Sequence, residues 1–193
     1  MSSKIELIAG LGNPGAKYEG TRHNVGFWFV DHLVHSKGGT LHHDNKFHGE
    51  VGKTPVDGQE IWLIKPMTFM NRSGQAVSAL ANYYKIPVEN ILVIHDELDL
   101  PPGTLRLKKG GGHGGHNGLR DTIAHFGSKE FMRLRIGIGH PGASNEVSNY
   151  VLGSPSSSDK ELLLSAIDDA MVVLPQIVSG EFQKAMNHLH SRK

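Results

Sequence analysis

The groups able to do chemistry in this 193-residue chain are oxygen and nitrogen groups, because cysteine is absent. That removes disulfides, thiolate metal sites, iron–sulfur clusters and a cysteine nucleophile together. No G-x-S-x-G elbow and no complete phosphate-loop motif occurs, so a serine hydrolase and a P-loop enzyme are both poor fits. The chain is instead rich in glycine, with 24 residues, and in histidine, with 13. Glycine loops let the backbone approach a ligand closely. Histidine is the acid, base and metal ligand of neutral pH.

His23 lies between a Gly/Asn/Pro loop and a helix start, in Thr21-Arg22-His23-Asn24. From the residues alone, a catalytic base and a solvent-exposed pre-helix residue both remain open. Asp96 sits at the tip of the most apolar strand, Ile91 to Ile94, where a carboxylate can orient a histidine. Its neighbours Glu97 and Asp99 read as a polar turn. Asn71 and Asn117 read as helix N-caps, a role compatible with catalysis because a helix N-terminus favours developing negative charge. The remaining histidines pair as His32 with His35, His42 with His43, and His113 with His116. None has an HExxH context or an obvious carboxylate partner, and His113 and His116 fall in a polyglycine loop that should be mobile, so no metal site is expected. Gly10-Leu11-Gly12-Asn13-Pro14-Gly15 follows a strand and matches the dinucleotide fingerprint, yet Pro14 removes an amide donor and no second strand ends in an acidic residue at the required distance. A nicotinamide or flavin site is therefore disfavoured.

Charge gives a further bound. Twenty Lys and Arg against 19 Asp and Glu leave a net +1, so no global positive field draws the chain to nucleic acid. The local basic bias is Arg106, Lys108 and Lys109, followed by Arg120, Arg133 and Arg135. Alternation places Arg106 and Lys108 on one strand face, readable as a phosphate contact or as a solvated face.

These residues need positioning elements. Strand patterns at 5–9, 61–64, 91–94, 105–108 and 134–139 alternate with helical patterns beginning at Asn24, near Asn71 and at Leu119, and the region 42–66 reads as a hairpin leading into a strand. The segment 156–190 is mostly helical, interrupted at Pro175 and Gly180. The expectation is an α/β fold, a single three-layer domain over 1–193 with a mixed, mostly parallel twisted sheet and helices on both faces. Strand-to-helix loops of parallel strands gather at one sheet edge, so Asn13, Asn71 and Asp96 can share a crevice. Met1 to Ile8 carries too short an apolar run for a signal peptide and no stretch reaches a membrane span. A cytoplasmic location without membrane contact is expected.

Taken in order, the Asn13 loop, Tyr18, Thr21-Arg22-His23-Asn24, Lys65 through Gly74, His95 through Gly103, Gly110 through Leu119 and Arg135 through Gly139 closely resemble bacterial peptidyl-tRNA hydrolase. The likeness runs along nearly the whole chain. It implies a monomer that cleaves the ester joining a peptide to the 3′ ribose of tRNA, with peptidyl-tRNA held by its acceptor stem and 3′ end. By the same resemblance His23 matches the catalytic base, Asp96 its orienting carboxylate, and Asn13, Asn71 and Asn117 substrate-positioning amides. Tyr18 and Met70 match residues lining the site, and Lys108 and Arg135 match a clamp on the tRNA 5′-phosphate. Neither cofactor nor metal enters this reading, and water is the simplest nucleophile.

Overall fold

This computed structural model describes residues 4–192. The first three residues of the N-terminal segment read above, 1–3, lie outside them. Seven strands form one mixed sheet: β1 Leu7–Gly10, β2 Thr40–Asp44, β3 Gly49–Val56, β4 Gln59–Pro66, β5 Ile91–Glu97, β6 Leu105–Lys109 and β7 Met132–Gly137. Their order is β2-β3-β4-β1-β5-β7-β6. The ladders among β4, β1, β5 and β7 are parallel, and β2, β3 and β6 join antiparallel at the flanks. The central strands are apolar without alternation because both of their faces are covered. Helices α1 (Val25–Lys37), α5 (Ser157–Val178) and α6 (Phe182–Ser191) pack on one face. The other face carries α2 (Ser73–Tyr83) and α3 (Asn117–Phe126). The result is the three-layer α/β arrangement that the alternation of elements implies.

Two glycines determine how closely the first helix meets the sheet. A Cβ on Gly10 would sit 2.2 Å from the Gly26 carbonyl oxygen, and one on Gly26 would sit 2.5 Å from the Leu11 backbone. The start of α1 therefore rests directly on the end of β1. The first glycine of the dinucleotide-like motif serves helix packing, and this contact holds His23, just before α1, over the ends of β1 and β5.

Four local expectations change. β5 continues past Ile94 through His95, Asp96 and Glu97, which pair with Arg135, Ile136 and Gly137 of β7, so Glu97 belongs to a strand and not to a turn. The hairpin region forms a three-strand meander, β2-β3-β4. α5 runs through Pro175 because Leu174, Ile177 and Val178 stay packed in the core, and burial of that stripe outweighs the broken helical bond. The break falls at Gly180, which has φ +87. A short helix that the sequence did not announce, α4 (Val147–Val151), lies beside the cleft described below. The free edge of β6 is covered by α6, whose His190 Nε2 accepts the Leu107 N–H at 3.1 Å. Among the described residues no helix is long and apolar enough to cross a membrane.

Candidate active site

A cleft of about 520 Å³ opens where β1, β4 and β5 end. Asn13, Tyr18, His23, Met70, Asn71, Asp96 and Asn117 all line it, whereas Lys108 and Arg135 do not. At its floor Asp96 is 3% exposed and receives two imidazoles. His23 Nδ1 lies 2.8 Å from one carboxylate oxygen, and His116 Nε2 lies 2.8 Å from the other. Burial alone would raise the Asp96 pKa, but the charges of His23 and His116 and their hydrogen bonds hold it far below the usual carboxylate range. An ionised carboxylate only accepts, so both nitrogens facing it carry protons.

The two imidazoles then differ in what remains. His116 Nδ1 accepts the Gly118 and Leu119 amides at 3.1 and 3.2 Å, which caps α3 and consumes the second ring nitrogen. His23 keeps Nε2 with its lone pair and no hydrogen-bond partner among the described residues. Burial by itself lowers the His23 pKa, and the Asp96 charge with its hydrogen bond outweighs that penalty, moving it above the ordinary 6.5. Of the two histidines on the carboxylate, only His23 can accept a proton from a third molecule without breaking a bond to the protein.

Asn13 is held by three contacts. Its N–H donates to Asn24 Oδ1 at 2.8 Å, its carbonyl accepts from Asn24 Nδ2 at 2.9 Å, and its own Oδ1 accepts the Met70 N–H at 2.7 Å. The Met70 contact dictates the amide orientation, because a backbone donor needs the oxygen, and leaves Asn13 Nδ2 as a donor to the cleft. Asn71 and Asn117 are exposed and cap nothing. Asn71 sits inside the 3₁₀ turn Met70–Arg72, the N-cap of α2 is Arg72, and His116 takes the capping role expected of Asn117. Both amides are free for a ligand.

A third histidine lies beneath these groups. His95 Nδ1 donates to the Asp96 carbonyl at 2.7 Å, and its ring sits 5.1 Å from that of His116. Burial, reinforced by the nearby His116, lowers its pKa to about 3, so it is a neutral spacer. His23, Asp96 and His116 present ligand-type atoms within 4.8 Å of one another. A cation there would have to replace both imidazole–carboxylate bonds, and His116 would also have to give up an amide-bonded cap or its proton.

The basic residues occupy a different place. Arg106 pairs with Arg135 and Lys108 with Arg133 across β6 and β7, so all four side chains leave the same face, opposite the leucines of the core. Arg133 is 2% exposed and forks to the Gly111 and Gly112 carbonyls at 2.5 and 2.6 Å, anchoring the glycine loop that leads to His116. Lys108 is exposed and makes no ion pair among the described residues. Arg135 has one loose carboxylate, Glu97, at 3.7 Å.

A family model of peptidyl-tRNA hydrolase matches residues 7–193. The chain belongs to the peptidyl-tRNA hydrolase family. It is 55% identical over 191 residues to the peptidyl-tRNA hydrolase of Coxiella burnetii, covering 99% of this chain and 100% of that one. It is 56% identical over 187 residues to that of Halorhodospira halophila, covering 97% and 96%. The crystal structure of peptidyl-tRNA hydrolase from Acinetobacter baumannii superposes with a TM-score of 0.97 at 51% identity, over 100% of this chain and 98% of that one.

In this hydrolase, sequence reasoning missed three groups that shape the site: His116, His95 and Arg133. Its place among glycines predicts a mobile His116, and the structure holds it fixed. Its partners, Asp96 and the α3 amides, fix it only once the loop closes against β5. The available signal was Asn117-Gly118-Leu119, a helix start immediately after a polar residue able to cap it.

Proposed function

We propose that this hydrolase cleaves the ester between the peptide and the 3′ ribose of tRNA, with His23 as general base toward water. The carrying observation is the asymmetry at Asp96: both imidazoles donate to the carboxylate, and only His23 has a nitrogen left to accept a proton. Water gives a proton to His23 Nε2 as its oxygen bonds to the ester carbonyl carbon. The tetrahedral oxyanion takes hydrogen bonds from cleft amides, for which Asn13 Nδ2, Asn71 and Asn117 are the available donors. Collapse breaks the bond to the ribose oxygen, which receives the proton from Nε2. The products are a peptide acid and a tRNA with a free terminal hydroxyl. Asp96 stabilises the transient imidazolium and keeps the ring in the productive tautomer. Tyr18 and Met70 form walls of the cleft, and Lys108 with Arg135 hold a phosphate of the acceptor end. The reading carries with it a cytoplasmic location, where translation runs, and a site complete within one chain.

The test is turnover of an N-acetyl-aminoacyl-tRNA by folded His23→Ala protein. A positioned base contributes about 10²- to 10⁴-fold, and a loss of that order is expected. Wild-type turnover in the variant would remove His23 from the mechanism. The same substrate with and without its acetyl group tests the neutral amides, because an α-ammonium leaves their hydrogen bonds unmade and enters with only the already engaged Asp96 as counter-charge. The acetylated form is expected to be the better substrate.

A further inference from the structure

A second cleft, of about 670 Å³, adjoins the first, and Phe69 and Asn71 line both. Beyond that shared wall it is lined by His43, Asn45 and His48 of the β2 end and β2–β3 turn, by Thr68 after β4, and by Arg72 and Gln75 at the start of α2. We propose that this cleft binds the extended backbone of the peptide upstream of the scissile ester. The proposal rests on the reading of the catalytic cleft given above.

Strand order supplies the direction. Lys108 and Arg135 lie on β6 and β7, the ester-cleaving groups over the ends of β1 and β5, and the second cleft on the β4-β3-β2 side, so the three follow one another across the sheet. A substrate with its phosphate on the basic face and its ester at His23 has its acyl part pointing away from β6, toward this cleft. Phe69, 57% exposed, stands at the junction with its ring edge-on to Tyr18 at 6.2 Å.

The chemistry of the walls fits peptide and not RNA. Among the described residues lining it, Arg72 is the one permanent charge and no carboxylate is present; Met67 and Phe69 are apolar, and the others offer amides, imidazoles and a hydroxyl. That set pairs with neutral N–H and C=O groups whatever the side chains, as a substrate of unlimited sequence requires. Thr68 adds an independent sign. Its Oγ1 is covered and has no hydrogen-bond partner among the described residues. Covered polar groups are ordinarily bonded, and a peptide carbonyl or amide entering the cleft would satisfy this one once the atoms covering it part on binding.

The experiment compares two substrates on one tRNA, an N-acetyl-aminoacyl ester and a tetrapeptidyl ester ending in the same residue. Thr68→Val keeps the side-chain shape and removes an unsatisfied hydroxyl, so the fold should tolerate it; Gln75→Ala truncates a half-buried helix position. Each is expected to raise KM for the tetrapeptidyl ester by about 5-fold relative to the short ester, the value of one hydrogen bond. Equal changes on both substrates would overturn the subsite. Failure of wild-type protein to cleave either ester would overturn the functional reading instead. As a second measurement, a benzophenone at the peptide N-terminus, loaded on His23→Ala protein, is expected to label 43–48 or 68–75. Labelling of α4, or of those same residues by a photoreactive nucleotide in the tRNA 3′ end, would reverse the direction argued here.

Discussion

The floor of the Asp96 cleft and the basic face of β6 and β7 are both polar, and they are built in opposite ways. Around Asp96 the bonds of 2.7 to 2.8 Å leave little freedom: two imidazoles, a backbone carbonyl and the third histidine are mutually fixed. On the basic face Arg133 is tied to the glycine loop and Arg106 to the Leu105 carbonyl, while Lys108 has no ion-pair partner among the described residues and Arg135 faces Glu97 loosely. Bond breaking rewards groups already in place, since reorganisation during the reaction costs rate. Contact with a phosphate rewards mobile cations, whose Coulomb energy survives variation in geometry.

The strongest way to break this contrast is to remove the shared charge. Asp96→Asn replaces a charge-assisted bond worth about 1.5–3 kcal/mol, so a rate loss of about 10- to 100-fold is expected on N-acetyl-aminoacyl-tRNA, smaller than that of His23→Ala. An unchanged rate would show that the carboxylate only builds the floor. Within the basic face, Arg133→Met separates the built-in cation from the free ones. It leaves two glycine carbonyls without their donor, and a stability loss of about 1–3 kcal/mol in denaturant unfolding is expected, with no comparable loss for Lys108→Ala. Equal stabilities would mean that the forks to Gly111 and Gly112 do not anchor the loop. The smallest effects belong to Lys108 and Arg135, which make no such fork. Lys108→Ala and Arg135→Ala should each raise KM for full-length tRNA substrates and lower the log–log salt slope by about 0.7–0.9. Unchanged slopes in both would move the phosphate contact elsewhere.

The same contrast explains what could be read from the sequence. The continuous run Ile91 to Ile94 marks a strand buried on both faces, and Asp96 follows from it. Alternation of Arg106 and Lys108 foretells a shared face without reference to the rest of the chain. His116 was illegible because the group that fixes it, Asp96, is 20 residues away and the loop between them has to close first. Arg133 looks like Arg135 in sequence, two cations at alternate positions, and the overlying glycine loop makes one fully buried while the other stays half-buried. Pro175 failed as a stop signal because packing of α5 against the sheet exceeds the local helix penalty. Periodicity reports which face a residue takes; hydrogen bonds across the sheet edge decide whether it is held there.

The claim that His23 acts as a neutral base tethered to Asp96 is tested most directly by the pH dependence of kcat/KM on N-acetyl-aminoacyl-tRNA, measured for wild-type protein and Asp96→Asn. The base works unprotonated, so activity should rise with pH and level off above the His23 pKa. Because Asp96 outweighs burial, the wild-type midpoint should lie above 6.5. Without the carboxylate charge only the burial penalty remains, so in Asp96→Asn the midpoint should move downward. A midpoint that stays in place, or a wild-type rate that falls as pH rises through this range, would contradict the assignment.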